Sequence, residues 1–316
     1  MSEAQVKVGI VGVGEVGRGW AALCVAAGWP VTLFDSDGVA SNQATEDVAH
    51  RARNLVELGR ATDESVEKGV RNMEVAGSLL QACREAQWII ESVGEDLQLK
   101  QKTFELIESA SVRARAVTSS SSELSPTDIA ARCKNKARVL VAHPMNPPEL
   151  IPLVELVPSP ATDTALVELV RGWLHALGRI AIVIKKPVPG GVVNRIAAAV
   201  WRECIDLVLN DIIDVDDLDR AVSLGPALGW AAAGPHLSYH LAAGDRGVRG
   251  FLQGLLTTFE NSWESLATWS KLEPEEQKKI VARIEKAYAD NVDVIRSARD
   301  RRLAAILRGL ESARRE

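Results

Sequence analysis

The chain contains 316 residues, of which 47% are hydrophobic and 25% are charged, and its 37 basic and 42 acidic side chains give a net charge of −5. This composition is typical of a folded chain long enough for two domains, and it excludes a disordered protein, a collagen-like repeat and a disulfide scaffold. The acidic balance argues against a broad nucleic-acid-binding surface, so we expect no nucleic-acid partner.

The cysteines and the apolar segments indicate where such a protein resides. The four cysteines are far apart in the sequence and form no CxxC pair, so we interpret them as buried or free thiols. No run of about 18 apolar residues occurs, so we expect no membrane span. The first residues lack the charged and apolar regions of a signal peptide, and we therefore expect a cytoplasmic protein.

The first elements of the chain form a recognisable series. Residues 6–11 predict a strand, residues 20–27 carry apolar side chains at helical spacing, and residues 31–34 predict a second strand that ends at Asp35. The turn between the first strand and the helix consists of Gly12, Val13, Gly14, Glu15, Val16 and Gly17. A strand, a GxGxxG turn, a helix, a strand and an acidic residue in this order are typical of a dinucleotide-binding Rossmann fold.

Each part of this fingerprint has a physical role. Gly12 permits a tight turn, Gly14 lets the backbone approach a pyrophosphate, and Gly17 lets the helix pack closely on the strand. The free amides at the start of the helix attract the phosphate charge. Asp35 is placed to accept hydrogen bonds from a ribose 2′-hydroxyl and would repel a 2′-phosphate. The sequence therefore predicts NAD rather than NADP as the cofactor.

The alternation of strands and helices continues to about residue 188. Apolar runs predict strands at residues 88–90, 139–142, 153–157 and 180–184, and residues 164–177 predict an amphipathic helix. This alternation indicates an α/β fold with a mostly parallel sheet. No convincing strand follows the Pro- and Gly-rich residues 187–191, and residues 192–209 predict a long helix. We therefore predict a Rossmann-type domain at residues 1–188 and an all-α domain at residues 189–316.

A histidine and a glutamate mark the candidate chemical site. His143 ends one predicted strand, a proline-rich loop follows, and Glu155 lies inside the next strand. If the two strands pair, the carboxylate can hold one ring nitrogen while the other takes a proton, as a general base requires. A buried core histidine is the alternative. His236 and His240 have the i, i+4 spacing of a zinc pair but lack the glutamate of HExxH, so we predict no metal site.

The segments GVGEVGRGW, ESVGEDLQLK, SSSSEL, HPMNPPELIPLVELVP and PGGVVNR occur in this order along the chain. In order and spacing they resemble the 3-hydroxyacyl-CoA dehydrogenase superfamily, and especially its branch of lambda-crystallin (L-gulonate 3-dehydrogenase) and L-carnitine dehydrogenase. This resemblance implies an NAD-dependent dehydrogenase of a small hydroxy acid, which forms a homodimer through its helical domain.

The resemblance also implies roles for individual residues at matching positions. His143 corresponds to the general base and Glu155 to the partner that orients it. Ser122 and Asn194 correspond to residues that hold the reacting oxygen. Three further residues correspond to cofactor contacts, namely Glu95, Lys100 and Asn146. Ser122 follows a predicted strand near residue 117, where open α/β sheets bind ligands, although a flexible polar loop is the alternative for this serine-rich run.

The substrate is less well defined. We favour oxidation of a small 3-hydroxy acid of the L-gulonate type to the 3-keto acid, because residues 48–60 are shorter and less basic than the CoA-binding segment of acyl-CoA enzymes. L-Carnitine dehydrogenase and 3-hydroxyacyl-CoA dehydrogenase are alternatives, and a crystallin-like structural role is the non-enzymatic one. Met145 and Glu149 replace aromatic residues of the carnitine and gulonate branches, respectively. Gly191 replaces the Phe of the family's PGF segment, which predicts a larger or looser pocket.

Overall fold

The computed structural model describes residues 5–289 and 291–313. The chain divides into two compact units, Met1–Asn194 and Arg195–Glu316. This division falls six residues after the boundary predicted at residue 188. The backbone amides of Val192 and Val193 donate hydrogen bonds to Glu155, so this stretch is held by the first unit.

The first unit contains an eight-stranded sheet with the strand order β3-β2-β1-β4-β5-β6-β7-β8. The strands are β1 (Val8–Val11), β2 (Val31–Phe34), β3 (Met73–Val75), β4 (Trp88–Glu91), β5 (Ala116–Ser119), β6 (Val139–Pro144), β7 (Leu153–Pro158) and β8 (Ile180–Val183). All neighbouring strands are parallel except β6 and β7, which are antiparallel. The chain order reverses between β1 and β4, and ligands of open α/β sheets bind at such a point.

Seven α-helices accompany this sheet among the described residues of the first unit. They are α1 (Glu15–Ala26), α2 (Gly38–Glu57), α3 (Asp63–Arg71), α4 (Leu79–Arg84), α5 (Leu97–Ala110), α6 (Pro126–Ile129) and α7 (Thr164–Ala176). Short polar side chains begin most of them by accepting hydrogen bonds from first-turn amides, as Asp37 does for α2 and Asp96 for α5. The central strands β1 and β4 are fully buried, which explains why they consist of apolar residues and glycine up to Glu91 at the end of β4.

The second unit is helical in the part of the chain that the structure describes. Its helices are α8 (Val193–Leu209), which begins two residues before the division, α9 (Val215–Leu224), α10 (Pro226–Ala233), α11 (Pro235–Ala242), α12 (Gly247–Ser265), α13 (Pro274–Ala287) and α14 (Val292–Ala313). Ile205 and Val208 of α8 pack with Leu218 and Ile280 into a small core. The predicted α/β fold followed by an all-α segment is thus confirmed. Among the described residues, no helix is both long and apolar enough to cross a bilayer.

Trp20, Trp88 and Trp173 form a chain of neighbouring rings in the interior of the first unit. Trp20 and Trp88 are completely buried, with ring centroids 6.0 Å apart, and Trp88 stacks on Trp173 at 5.4 Å. The indole N–H groups of two of them are satisfied, because Trp20 donates to Ser120 Oγ at 3.1 Å and Trp88 to Thr118 Oγ1 at 2.9 Å. These aromatic rings fill the space between the sheet and the helices α1 and α7.

Candidate active site

The glycine turn lies at the carboxyl end of β1 and leads into α1. Gly12 has φ +93°, and a Cβ there would lie 2.6 Å from the backbone carbon of Ser92. A Cβ on Gly17 would overlap the carbonyl oxygen of Gly12, whereas no atom lies within 4 Å of the equivalent point on Gly14. The turn is therefore closed on its protein side and open at Gly14, which is the shape that a pyrophosphate requires.

Asp35 is tied to the same turn. Its Oδ2 accepts a hydrogen bond from the Val13 amide at 2.9 Å, and its Oδ1 accepts one from the Asp37 amide at 3.1 Å. A cavity of about 510 Å³ is lined by Gly12, Gly14 and Asp35 together with apolar side chains such as Leu79. The glycine turn, the acidic residue at the end of β2 and the apolar wall fit the adenosine half of a dinucleotide.

His143 and Glu155 face each other across the antiparallel strands β6 and β7. His143 Nδ1 lies 3.0 Å from Glu155 Oε2, and the two residues are 8% and 0% exposed. The other carboxylate oxygen, Oε1, accepts hydrogen bonds from the amides of Val192 and Val193 at 2.9 and 3.0 Å. Since a carboxylate only accepts hydrogen bonds, this contact favours the tautomer of the neutral imidazole that carries its proton on Nδ1 and its lone pair on Nε2.

Two cavities adjoin His143. One of about 320 Å³ brings together most of the residues predicted for the chemical step and the nicotinamide end of the cofactor, namely Val16, Glu95, Lys100, Ser122, His143, Asn146 and Asn194. The other, of about 270 Å³, is lined by Ser122, His143, Glu155 and Gly191. Ser122 and His143 therefore border both cavities. This places a hydroxyl, an imidazole and an amide around one space beside the glycine turn.

The remaining predicted residues lie outside these cavities. Val13 contributes its amide to Asp35, and Gly17 packs against Gly12. The carboxylate of Glu15 accepts two hydrogen bonds from Arg51, at 2.9 and 2.8 Å. Glu15 therefore contacts α2 in this structure, which gives it a structural contact that its cofactor assignment did not anticipate.

Lys100 belongs to a buried ion pair that sequence reasoning did not identify. Its ammonium lies 2.8 Å from Glu91 Oε1 and 3.0 Å from the Val93 carbonyl, and Lys100 and Glu91 are 1% and 0% exposed. Burial raises the pKa of Glu91, and Lys100, Ser119 and the Val93 amide oppose that rise. The sequence does contain a signal for this ion pair, because Glu91 ends an apolar strand and Lys100 follows nine residues later.

Glu95 connects this ion pair to the serine-rich loop. Burial alone would raise the pKa of Glu95, but hydrogen bonds from Ser121 and the Glu123 amide, with Lys100 3.5 Å away, hold that pKa below its ordinary value. Ser121 is buried and donates to Glu95, whereas the neighbouring Ser122 faces both cavities. Glu95 and Ser121 thereby fix the loop that presents Ser122.

Glu149 and Arg51 form a second polar cluster beneath the proline-rich loop. Arg51 donates to Glu149 Oε1 at 3.1 Å and to Asp47 at 2.9 Å, in addition to its contacts with Glu15. Glu149 is 7% exposed, and its Oε2 has no hydrogen-bond partner. Burial raises the pKa of Glu149 despite the nearby Arg51. The position expected to carry an aromatic residue is thus a buried carboxylate that joins the loop to α2.

The thiols and the histidine pair carry no comparable site. Burial raises the pKa of Cys24 and of Cys83 to about 12, as expected for inert core thiols. His240 Nδ1 accepts a hydrogen bond from the Val248 amide at 3.1 Å. Within the described ranges, no cluster of three or more His, Cys, Asp or Glu side chains has the arrangement of a metal site.

Comparison with known proteins agrees with this geometry. The model of the 3-hydroxyacyl-CoA dehydrogenase NAD-binding domain matches residues 7–187, and that of the 3-hydroxyacyl-CoA dehydrogenase C-terminal domain matches residues 190–283. The chain belongs to the 3-hydroxyacyl-CoA dehydrogenase family. It is an NAD-dependent dehydrogenase of the hydroxy acid type, as its relatives and the cofactor domain indicate.

Individual relatives align with most or nearly all of the chain. It is 31% identical to an L-carnitine dehydrogenase of Nocardiopsis dassonvillei over 99% of this chain and 94% of that protein. It is 34% identical to a 3-hydroxyacyl-CoA dehydrogenase of Gibberella moniliformis over 80% of this chain and 77% of that protein. The crystal structure of 5-formyl-3-hydroxy-2-methylpyridine 4-carboxylic acid 5-dehydrogenase, an NAD⁺-dependent dismutase, superposes with a TM-score of 0.81 at 26% identity, covering 98% of this chain and 99% of that one.

Proposed function

We propose that this protein oxidises the 3-hydroxyl group of a small free acid to a ketone, with His143 as the general base. The observation that carries the proposal is the buried His143–Glu155 contact beside a cavity that also contains Ser122 and Asn194. In this arrangement a base, two polar groups for an oxygen atom and the cofactor turn border the same space.

The mechanism follows from the positions of these side chains. His143 Nε2 accepts the proton of the substrate hydroxyl, and Glu155 stabilises the resulting imidazolium through its contact with Nδ1. Ser122 and Asn194 hold the substrate oxygen while its carbon becomes trigonal. NAD, held by residues 12–17 and Asp35, supplies the hydride-accepting ring when it is bound.

Three observations favour a small acid over an acyl-CoA. The cavities beside His143 measure about 320 and 270 Å³, which suits a compact substrate. Residues 48–60 contain few arginines, and Arg51 among them already contacts three carboxylates, on Glu15, Asp47 and Glu149. That guanidinium is therefore engaged within the protein and not positioned to meet the phosphates of CoA.

L-Carnitine is the first substrate to test, ahead of L-gulonate. Relatives named L-carnitine dehydrogenase align with the chain over nearly its full length. The carboxylates of Glu123 and Asp128 line the smaller cavity, and their negative charge suits a trimethylammonium group. Met145 lines the larger cavity, and no Phe, Tyr or Trp lines either one among the described residues. Charge rather than an aromatic wall would then select the cation at this face.

The second unit supports an additional proposal about assembly. Large apolar side chains are exposed on its helices, including Trp201 at 63%, Trp263 at 57% and Ile196 at 56%. Exposed apolar area of this kind is typical of a protein interface. We therefore propose a homodimer formed through the helical unit, which light scattering combined with size-exclusion chromatography would test. A monomer at micromolar concentration would contradict it.

The activity is tested with the absorbance of NADH and a panel of L-carnitine, L-gulonate, L-3-hydroxybutyrate and L-3-hydroxybutyryl-CoA. We expect NAD reduction with at least one free acid, and a lower kcat/KM for the CoA ester. The variant His143→Ala serves as the control, since removal of the base should reduce kcat by about 10²–10⁴. The proposal is wrong if the CoA ester is the best substrate or if folded His143→Ala keeps its turnover.

A further inference from the structure

A glycine two residues before the long helix α8 packs directly against the Glu155 carboxylate. Gly191 has φ +58°, and a Cβ built on it would overlap Glu155 Oε2 and lie 3.1 Å from Glu155 Cδ. Oε2 is the oxygen that contacts His143. Gly191 lines the smaller cavity, and the absence of a side chain has a second consequence at this position. It allows the backbone itself to close over Glu155.

The next two residues hold the opposite oxygen of the same carboxylate. The amides of Val192 and Val193 donate to Glu155 Oε1 at 2.9 and 3.0 Å. These amides belong to the start of α8, where helix N–H groups have no partner within the helix and where negative charge is favoured. Each oxygen of Glu155 therefore has a separate function, since Oε1 is anchored to the backbone and Oε2 contacts the imidazole.

We propose that residues 191–193 are the positioning element of the His143–Glu155 pair. Two amides fix the rotation of the carboxylate, and the bare α-carbon of Gly191 leaves Oε2 room to reach Nδ1. Glu155 is 0% exposed, so the two amides and not bulk water satisfy Oε1 in this structure. The inference rests on the proposed function, in which Glu155 supports His143 as a base, and it adds a specific requirement for glycine at position 191.

The main test is Gly191→Ala with Gly178→Ala as the matched control. Gly178 also has a positive φ, +69°, but no atom lies within 4 Å of its Cβ position, so alanine there has the same backbone strain without the collision. We expect both variants to lose thermal stability, and Gly191→Ala to lose more because it adds the collision with Glu155 to the backbone strain. Only Gly191→Ala should lose kcat, by about 10-fold to 10²-fold, with its NAD affinity unchanged. Equal kcat values for the two variants would overturn the proposal.

A second variant distinguishes positioning from a general loss of structure. Glu155→Asp shortens the side chain by one methylene, which retracts the carboxylate from residue 191 and from His143. In the wild-type background this change should reduce kcat strongly. In the Gly191→Ala background, where the contact between Glu155 and His143 is already displaced, Glu155→Asp should reduce kcat by a much smaller factor. Losses that multiply independently would contradict a common site of action.

A measurement without turnover separates this inference from the proposed function. ¹⁵N NMR of the histidine rings reports which ring nitrogen carries the proton. We expect His143 to be protonated on Nδ1 in the wild type and in Gly178→Ala, and to lose that preference in Gly191→Ala. If no substrate of the panel is oxidised, the proposed function fails while this result still stands. If the ring state is the same in all three proteins, the positioning role is wrong even in an active enzyme.

Discussion

Replacing Glu155 by glutamine tests the chemistry of the buried pair in the most direct way. Glutamine keeps the shape of the side chain, but one terminal oxygen becomes an NH₂ group. The amides of Val192 and Val193 both donate toward the Oε1 position, so the remaining oxygen of the glutamine must take that place. The NH₂ group then faces His143 Nδ1 as a donor. The imidazole must accept at Nδ1 and carry its own proton on Nε2.

The magnitude follows from the same contacts. The opposite orientation of the glutamine side chain would place its NH₂ group against the two buried backbone N–H groups of Val192 and Val193. Each unsatisfied buried N–H costs about 1–3 kcal/mol, so the two together cost about 2–6 kcal/mol. The variant therefore holds the histidine in the state without a lone pair at Nε2. Since a positioned base contributes about 10²–10⁴ in rate, we expect kcat to fall by a factor in that range.

The assay is steady-state oxidation of the best substrate, followed by NADH absorbance, with NAD titration and thermal unfolding as controls for folding. Because His143 and Glu155 act as a unit, the double variant His143→Ala/Glu155→Gln should be little slower than the slower single variant. A folded Glu155→Gln enzyme with kcat within a few-fold of wild type would refute the argument. Multiplicative losses in the double variant would do the same.

Three further predictions concern the cofactor turn and the two buried carboxylates. Asp35→Ala should narrow the preference for NAD over NADP, measured as the ratio of kcat/KM values, and an unchanged ratio would contradict the role of Asp35. Lys100→Met leaves Glu91 buried without its cation and should lower the free energy of unfolding by about 3–5 kcal/mol in urea titrations, whereas adding Glu91→Gln should recover part of that loss. Burial raises the pKa of Glu149, so the folded protein binds the carboxyl proton of Glu149 more tightly than the unfolded chain does. Binding of this proton stabilises the folded state at low pH, and the stabilisation is lost as the pH rises from the ordinary pKa of a carboxyl group through the raised pKa of the folded state. Glu149→Gln has no such proton, and urea titrations at pH 5 and 8 should therefore show it gaining stability relative to wild type as the pH rises; parallel curves would contradict this.

Local signals account for much of what the sequence could predict. The glycine turn, the strands on either side of α1 and the position of Asp35 were predictable because each depends on residues close together in the chain. Strand β3 was missed, since its Met-Glu-Val sequence lies at the sheet edge, pairs only with β2 and carries no apolar run. Short edge strands of this kind depend on their neighbour rather than on their own composition.

The candidate site shows the same limit more sharply. The contact between His143 and Glu155 could be anticipated, because two adjacent strands with a short connection commonly pair. The hydrogen bonds from the amides of Val192 and Val193 to Glu155 could not be anticipated. Every residue except proline carries the same backbone N–H, and no sequence pattern shows which of these groups will bind a carboxylate. The close approach of Gly191 to Glu155 could not be predicted either, because it depends on the path of the backbone and not on a side chain.

The buried tryptophans have a spectroscopic consequence. Trp20 donates to Ser120, which is hydrogen-bonded to Ser92, and Ser92 borders both the cavity at the glycine turn and the larger cavity beside His143. Indoles shielded from water emit at short wavelength, and that emission overlaps the absorption band of a reduced nicotinamide. Light absorbed by Trp20, Trp88 and Trp173 should therefore be transferred to bound NADH. Quenching of the tryptophan fluorescence of the first unit should therefore report how much NADH is bound, without substrate and without any added dye.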